Sequence, residues 1–523
     1  VRLAGKSISA CLKKESGFRF RRSYFYCLTK YRQEMKIQKN QNIAMKLQQF
    51  PLLFYLFKWL FLSAISGACI GSASALLLVS LEWATQYREH HLWIIALLPV
   101  AGLVIGLMYH YLAGTASRGN NFLIEEIRSP HDIIPFRMAP LVYIGTVLTH
   151  LFGGSAGREG TGVQMGGAIA DRFSKLFRLP RRDHRVMVAI GISAGFASIF
   201  GTPLAGAVFG LEVIIVGRMR YESILPVFLS AAFAHLTCHS WGVEHTLYPA
   251  PVVPELGVSN ILWVALSGIV FGVVAMAFSR SIGFWGGVAK KFISYPPLRP
   301  VAGGIIIALA VWLLGTTKYI GLGVPTIVAS FSEQQMWYDF LLKLIFTTFT
   351  IGVGFKGGEV TPLFFVGATL GSALSFIIPL PMSLLAGLGF VAVFAGATNT
   401  PIACTFMGIE LFGIEPGIYL GIACVVAYLF SGHTGIYTSQ VVGTPKHLLY
   451  LRDKGKTLKY VLIYSKILKI KNEKTVKSAI LSMGFRNFVT YFRNRHGYGT
   501  IKRNDNRSFT AVDLQFHITF IAG

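Results

Sequence analysis

Gly153-Gly154-Ser155-Ala156-Gly157-Arg158-Glu159-Gly160-Thr161-Gly162-Val163-Gln164-Met165-Gly166-Gly167 is the densest glycine run in a strongly apolar chain. Apolar segments long enough for a bilayer surround it. A carboxylate at such depth is costly and marks a functional site by default. Glycines let backbone approach a ligand closely. A helix starting near Gly160 would aim unpaired N–H groups and a positive dipole end at whatever precedes it, so an anion is stabilised there. Glu159 can leave such a site when neutral and compete for it when charged.

The chain has 523 residues, 53% hydrophobic and 14% charged, with 55 glycines. Its mean hydropathy is +0.55. Ordinary soluble domains are about 25% charged. Apolar stretches near 20 residues recur, as in 52–83, 92–112 and 258–278, so the chain reads as an all-α polytopic membrane protein. Shorter pieces broken by glycine suit half-helices that line a cavity. The net charge of +26 is uneven. Residues 1–50 and 446–523 hold 28 of the 49 basic residues and 6 of the 23 acidic ones, which leaves 51–445 at +4. Basic tails on an apolar core fit an anionic leaflet better than nucleic acid. The tails also read as non-native, with Met35 and Met45 as alternative starts. Residues 1–44 lack the apolar core of a secretory signal. The expected divisions are a basic tail over 1–50, two halves over 51–250 and 251–449, and a second basic tail over 450–523.

The two halves repeat. Thr202-Pro-Leu-Ala-Gly-Ala-Val-Phe-Gly-Leu-Glu212 matches Thr400-Pro-Ile-Ala-Cys-Thr-Phe-Met-Gly-Ile-Glu410, and Gly157-Arg-Glu-Gly-Thr161 matches Gly357-Gly-Glu-Val-Thr361. The offsets, 198 and 200, nearly agree. Duplicated halves with interrupted segments at matching places point to a transporter whose site lies at the repeat interface. The basic loop Lys175 to Arg185 faces the cytoplasm by the positive-inside rule.

Within this frame Glu159 reads as a proton-accepting gate; its simpler role is to cap its own helix or pair with Arg158. Glu359, Val360 and Thr361 open a second half-helix at Pro362 and can turn backbone N–H groups to an anion. Tyr437 follows a glycine turn and can donate its hydroxyl, although buried tyrosines are commonly core. Asn120 and Asn121 precede a short helix and read first as caps. Glu212 and Glu410 read as structural. Gly153-Gly-Ser155-Ala-Gly157 fits the nucleophile-elbow pattern with His150 nearby, which keeps an intramembrane hydrolase as a distant alternative. That motif needs a strand–turn–helix in an α/β sheet, which the sequence lacks. The histidines do not cluster as metal ligands and the six cysteines have no C-x-x-C spacing. No metal or cofactor is called for.

From about residue 54 to 449 the chain resembles the CLC chloride channel/antiporter family, through Gly157-Arg-Glu-Gly160, Gly357-Gly-Glu-Val-Thr-Pro362 and Tyr437. The resemblance implies an inverted repeat of many short tilted helices, a homodimer with one pore per subunit, and anions held at helix N-termini. Three departures matter. Thr161 stands where chloride members usually have proline. Gly119-Asn120-Asn121 stands where they have a serine motif. Val213 follows Glu212 where chloride/proton exchangers carry a relay glutamate. Thr161, the asparagine and Thr361 are similar to the fluoride-exporting bacterial branch, which exchanges fluoride for protons. The resemblance then implies Glu159 as the moving gate. Asn120 or Asn121, Gly160, Thr161, Glu359, Val360, Thr361 and Tyr437 are implied as anion-binding groups. The expected function is halide transport in the bacterial inner membrane, as fluoride export against protons; a chloride channel or chloride/proton exchanger is the alternative.

Overall fold

The computed structural model describes residues 49–129 and 134–464. The chain divides into a unit ending at Val461 and a second beginning at Leu462, and the elements below lie in the first. The readings of residues 1–48 and 465–523 fall outside the described residues. The first half holds α1 (Gln49–His90), α2 (Leu98–Met108), α3 (Asn120–Arg128), α4 (Met138–Leu151), α5 (Glu159–Leu176), α6 (Arg181–Phe200), α7 (Pro203–Glu212) and α8 (Ile224–Ser240). The second holds α9 (Val258–Phe292), α10 (Leu298–Leu314), α11 (Val324–Ala329), α12 (Asp339–Val353), α13 (Val360–Leu374), α14 (Met382–Thr398), α15 (Pro401–Phe412) and α16 (Gly417–Phe430). Two strands of two residues, β1 (Ile215–Val216) and β2 (Val441–Val442), pair in parallel.

Four helical stretches among the described residues are long and apolar enough to cross a membrane, and seven more apolar helices are shorter. Several of the short ones are enclosed by protein rather than lipid. Helices α5, α13 and α14 are buried along nearly their whole length. Helices α9 and α10 instead turn Leu262, Val273, Ile305 and Trp312 outward.

The repeat is inverted, and its carboxylates show why. Glu410, at the end of α15, accepts from the N–H groups of Leu204 and Ala205 at the start of α7, at 2.8 and 2.7 Å. Glu212, at the end of α7, accepts from Ile402 and Ala403 at the start of α15, at 3.2 and 2.8 Å. Each helix closes where the other opens, so the two run antiparallel. Both carboxylates meet a positive dipole end and its unpaired donors. Replacing Glu410 with alanine is expected to cost about 1.5–3 kcal/mol through the lost charge-assisted bonds. A thermal unfolding midpoint in detergent that did not fall would contradict that role. The glycines repeat the same symmetry. A Cβ on Gly166 would stand 2.2 Å from the Gly191 carbonyl oxygen, and one on Gly367 2.0 Å from that of Gly389. Small residues thus let α5 seat on α6 and α13 on α14 at backbone contact.

Several boundaries differ from the sequence expectation. The span expected over 92–112 breaks into a 3₁₀ turn, α2 and a π-helical stretch over Tyr109–Ala113, with Pro99 opening α2. Helix α6 begins at Arg181, because Pro180 ends the loop and Arg181 and Arg182 open its first turn. The C-terminal boundary expected at 450 lies too early. Leu458 and Lys459 donate to the Gln440 and Thr438 carbonyls, and Leu458 is fully buried. Of the cysteines described, Cys238, Cys404 and Cys424 are buried and all are free.

Candidate functional site

The two glycine motifs meet face to face. Gly157 N–H donates to the Gly358 carbonyl at 2.6 Å and Gly358 N–H to that of Gly157 at 2.7 Å. Gly357 has φ +154°, and a Cβ there would meet the Ala156 Cβ at 2.5 Å, so this crossing needs glycine. The bridge sets the N-terminus of α5 against that of α13.

Glu159 opens α5 and is 1% exposed. It does not cap its own helix beyond one bond from the Arg158 N–H at 3.1 Å. Its carboxylate reaches across to α13. Thr361 N–H donates to Oε2 at 3.0 Å, and the Thr361 hydroxyl donates to Oε1. The Arg158 guanidinium stands 3.9 Å from Oε1. The carboxylate therefore occupies the donor set that a helix N-terminus offers to an anion.

The start of α3 is a third approach. A Cβ on Gly160 would meet Asn120 Nδ2 at 3.1 Å, the Gly358 Cα at 3.1 Å and Glu359 Oε2 at 3.4 Å. Asn120 thus faces the Gly160 junction with its amide. Glu359 brings to that junction a carboxyl, not only backbone donors, and its Oε2 is buried without a hydrogen-bond partner. Asn121 faces elsewhere: its Oδ1 accepts from Ser439 N–H at 2.9 Å and the Thr438 hydroxyl at 3.4 Å. It anchors the turn that carries Tyr437, as Gln440 does by donating to the Val213 and Thr398 carbonyls. Tyr437 is buried, with its ring edge-on to Phe209 and its hydroxyl without a partner among the described residues.

Thr161 departs from the expectation. Its hydroxyl pairs with that of Thr146 at 2.7 Å, and Thr146 in turn donates to the Val142 carbonyl. The one Thr161 hydroxyl proton is thus spent on α4, and its N–H goes to the Arg158 carbonyl at 3.2 Å. Thr161 holds α5 in place and has no donor left for an anion. Val360 packs in the core at 1% exposure and opens α13.

Sequence reading missed two buried cations that fix the surrounding loops. Arg88 donates to the His150 carbonyl at 2.7 Å, and Lys343 to the Tyr319 and Gly321 carbonyls at 3.2 and 2.8 Å. The charge of Lys343 inside an apolar segment is the signal that could have found it, whereas Arg88 sits in the polar end of α1 and gives none. Replacing Gly160 with alanine is expected to push a methyl into the Asn120–Glu359 junction and slow transport by about tenfold or more, since sites tolerate little misplacement. A variant that is folded and as fast as the wild type would contradict the junction.

The architecture is that of a polytopic helical membrane protein whose two inverted halves cross at the Gly157–Gly358 bridge. The family model for voltage gated chloride channels matches residues 101–432, and the chain belongs to that family. It is 53% identical over 406 residues to a chloride/fluoride channel protein of Pseudomonas syringae pv. tomato, covering 76% of this chain and 90% of that one. A voltage-gated ClC-type chloride channel ClcB of Salmonella typhimurium is 29% identical over 313 residues, covering 56% of this chain and 73% of that one. Among solved structures, a CLC-type fluoride/proton antiporter superposes with TM-score 0.72 at 36% identity, covering 74% of this chain and 98% of that one. A slow cyanobacterial Cl⁻/H⁺ antiporter shares the fold, with TM-score 0.62 at 18% identity over 79% of this chain and 98% of that one.

Proposed function

We propose that this protein exports fluoride in exchange for protons, as a homodimer in the bacterial inner membrane. The observation that carries the reading is the seat of Glu159 on the Thr361 N–H and hydroxyl. Charged, the carboxylate fills a site built for an anion. Protonated, it loses most of its attraction to those donors, and a small anion takes its place. A proton on Glu159 and an anion at Thr361 are thus alternatives, which is the condition for exchange. On the inner side, a fluoride at the Asn120 amide would face the unpartnered Glu359 oxygen. Protonation of that carboxyl removes the repulsion and ties the two ions again.

Fluoride is small and strongly hydrated, so dehydration demands strong, focused donors. An amide N–H₂, a threonine hydroxyl and backbone N–H groups supply them. The solved fluoride/proton antiporter supports the same ion, and the relative named for both chloride and fluoride is compatible with it. The hydrolase alternative lacks its nucleophile–base pair: the Ser155 hydroxyl bonds that of Thr347, and both His150 ring nitrogens lie against backbone carbonyls. A transporter rather than an enzyme is therefore our reading. Efflux from liposomes followed with fluoride and chloride electrodes tests the ion. Fluoride should leave far faster; equal rates would favour a chloride channel or exchanger.

A further inference from the structure

The linker between the two halves, residues 241–257, belongs to no helix of either repeat, yet part of it turns into the site. Helix α6 starts in the cytoplasmic basic loop and runs 20 residues, about 30 Å at 1.5 Å per residue, to Phe200. Its end, and the linker beside it, therefore lie towards the outer face. There a small cavity opens on Glu159, lined by Arg158, Phe200, Thr246, Tyr248, Thr361 and Phe364, among others. It has room for about one water-sized guest.

Three polar groups in this lining have no hydrogen-bond partner. Arg158 Nε is buried without a hydrogen-bond partner, 3.9 Å from Glu159 Oε1. The hydroxyls of Thr246 and Tyr248 have no partner among the described residues. Two of the three come from the linker, and their placement is fixed. The Tyr248 ring stands edge-on to Phe390 at 5.1 Å and packs on Phe331 and Phe412. The His245 ring nitrogen Nε2 lies 2.9 Å from the Ser198 carbonyl oxygen, and its ring covers Gly201. The segment is thus pinned to the end of α6. Donors without a protein partner beside a water-sized space can be satisfied by a small guest.

We propose that Arg158, Thr246 and Tyr248 form an outer subsite for a small dehydrated anion, and that the linker hydroxyls set how tightly the outer face holds fluoride. The inference rests on the exchange reading. While Glu159 is protonated, an anion leaving the Thr361 donors outward has these three groups as its next ligands before water. Loss of one hydroxyl should weaken the outer face alone, since neither linker residue touches the Asn120 junction.

The test compares fluoride uptake into right-side-out membrane vesicles, which presents the outer face, with uptake into inside-out vesicles, which presents the inner one. Tyr248→Phe keeps the ring and its packing. It should raise KM about fivefold at the outer face, as loss of one hydrogen bond of roughly 1 kcal/mol implies, with the inner-face KM unchanged. Thr246→Val should act in the same direction. Unchanged KM values on both faces, or equal rises on both, would overturn the subsite. If wild-type vesicles take up fluoride without proton movement, it is the exchange reading that fails instead.

Discussion

Glu159→Gln should carry fluoride down its gradient with no accompanying proton. Glutamine has nearly the shape of the protonated acid, so the buried pocket beside Thr361 still accommodates it. It cannot ionise. The charged state that seats on Thr361 N–H and hydroxyl is lost, and with it the competition between carboxylate and anion. Burial at 1% exposure leaves little solvent to compensate that seat. We expect proton flux to fall to the leak level. Simultaneous fluoride-electrode and pH recordings on reconstituted protein check this. Proton coupling that persists in the variant would remove Glu159 from its central role.

The second large effect belongs to Asn120. Its amide stands 3.1 Å from the point where a Gly160 methyl would sit, and its Oδ1 is buried without a partner. Asn120→Ala removes the strongest side-chain donor at the inner approach. The fluoride rate should fall about tenfold or more and the preference over chloride should narrow, because a site built around a hydrogen bond discriminates through it. Asn121→Ala should behave differently. It frees the Thr438–Ser439 turn and lowers stability, with selectivity less affected. Matching selectivity losses in the two variants would mean that the asparagines are not divided in this way.

Much of this arrangement is legible in the chain because duplication writes it twice. The Thr202–Glu212 and Thr400–Glu410 elements align at offset 198, and that offset also pairs Gly201 with Asn399. Both are left-handed helix ends, at φ +76° and +62°. Glu212 and Glu410 read as structural, and the structure makes them reciprocal caps. The glycine run announces close backbone approach, and the approach proves to be a crossing with Gly358.

What sequence does not carry is long-range direction. Asn120 and Asn121 are neighbours with the same chemistry, and only the fold turns one to Gly160 and the other to a turn some 318 residues away. Thr161 looks like an anion ligand until α4 supplies Thr146 as its partner. Glu359 is read for its backbone, while its side chain enters the junction. Tyr248 sits in a polar linker that periodicity treats as a connector, and three phenylalanines from distant elements fix it against the site.

Proton movement driven by fluoride alone is the most direct measure of exchange. Liposomes holding the wild-type protein, loaded with fluoride and started without a pH difference, should acidify inside as fluoride leaves. An equal chloride load should produce far less acidification. Fluoride efflux that leaves the internal pH unchanged would contradict the account.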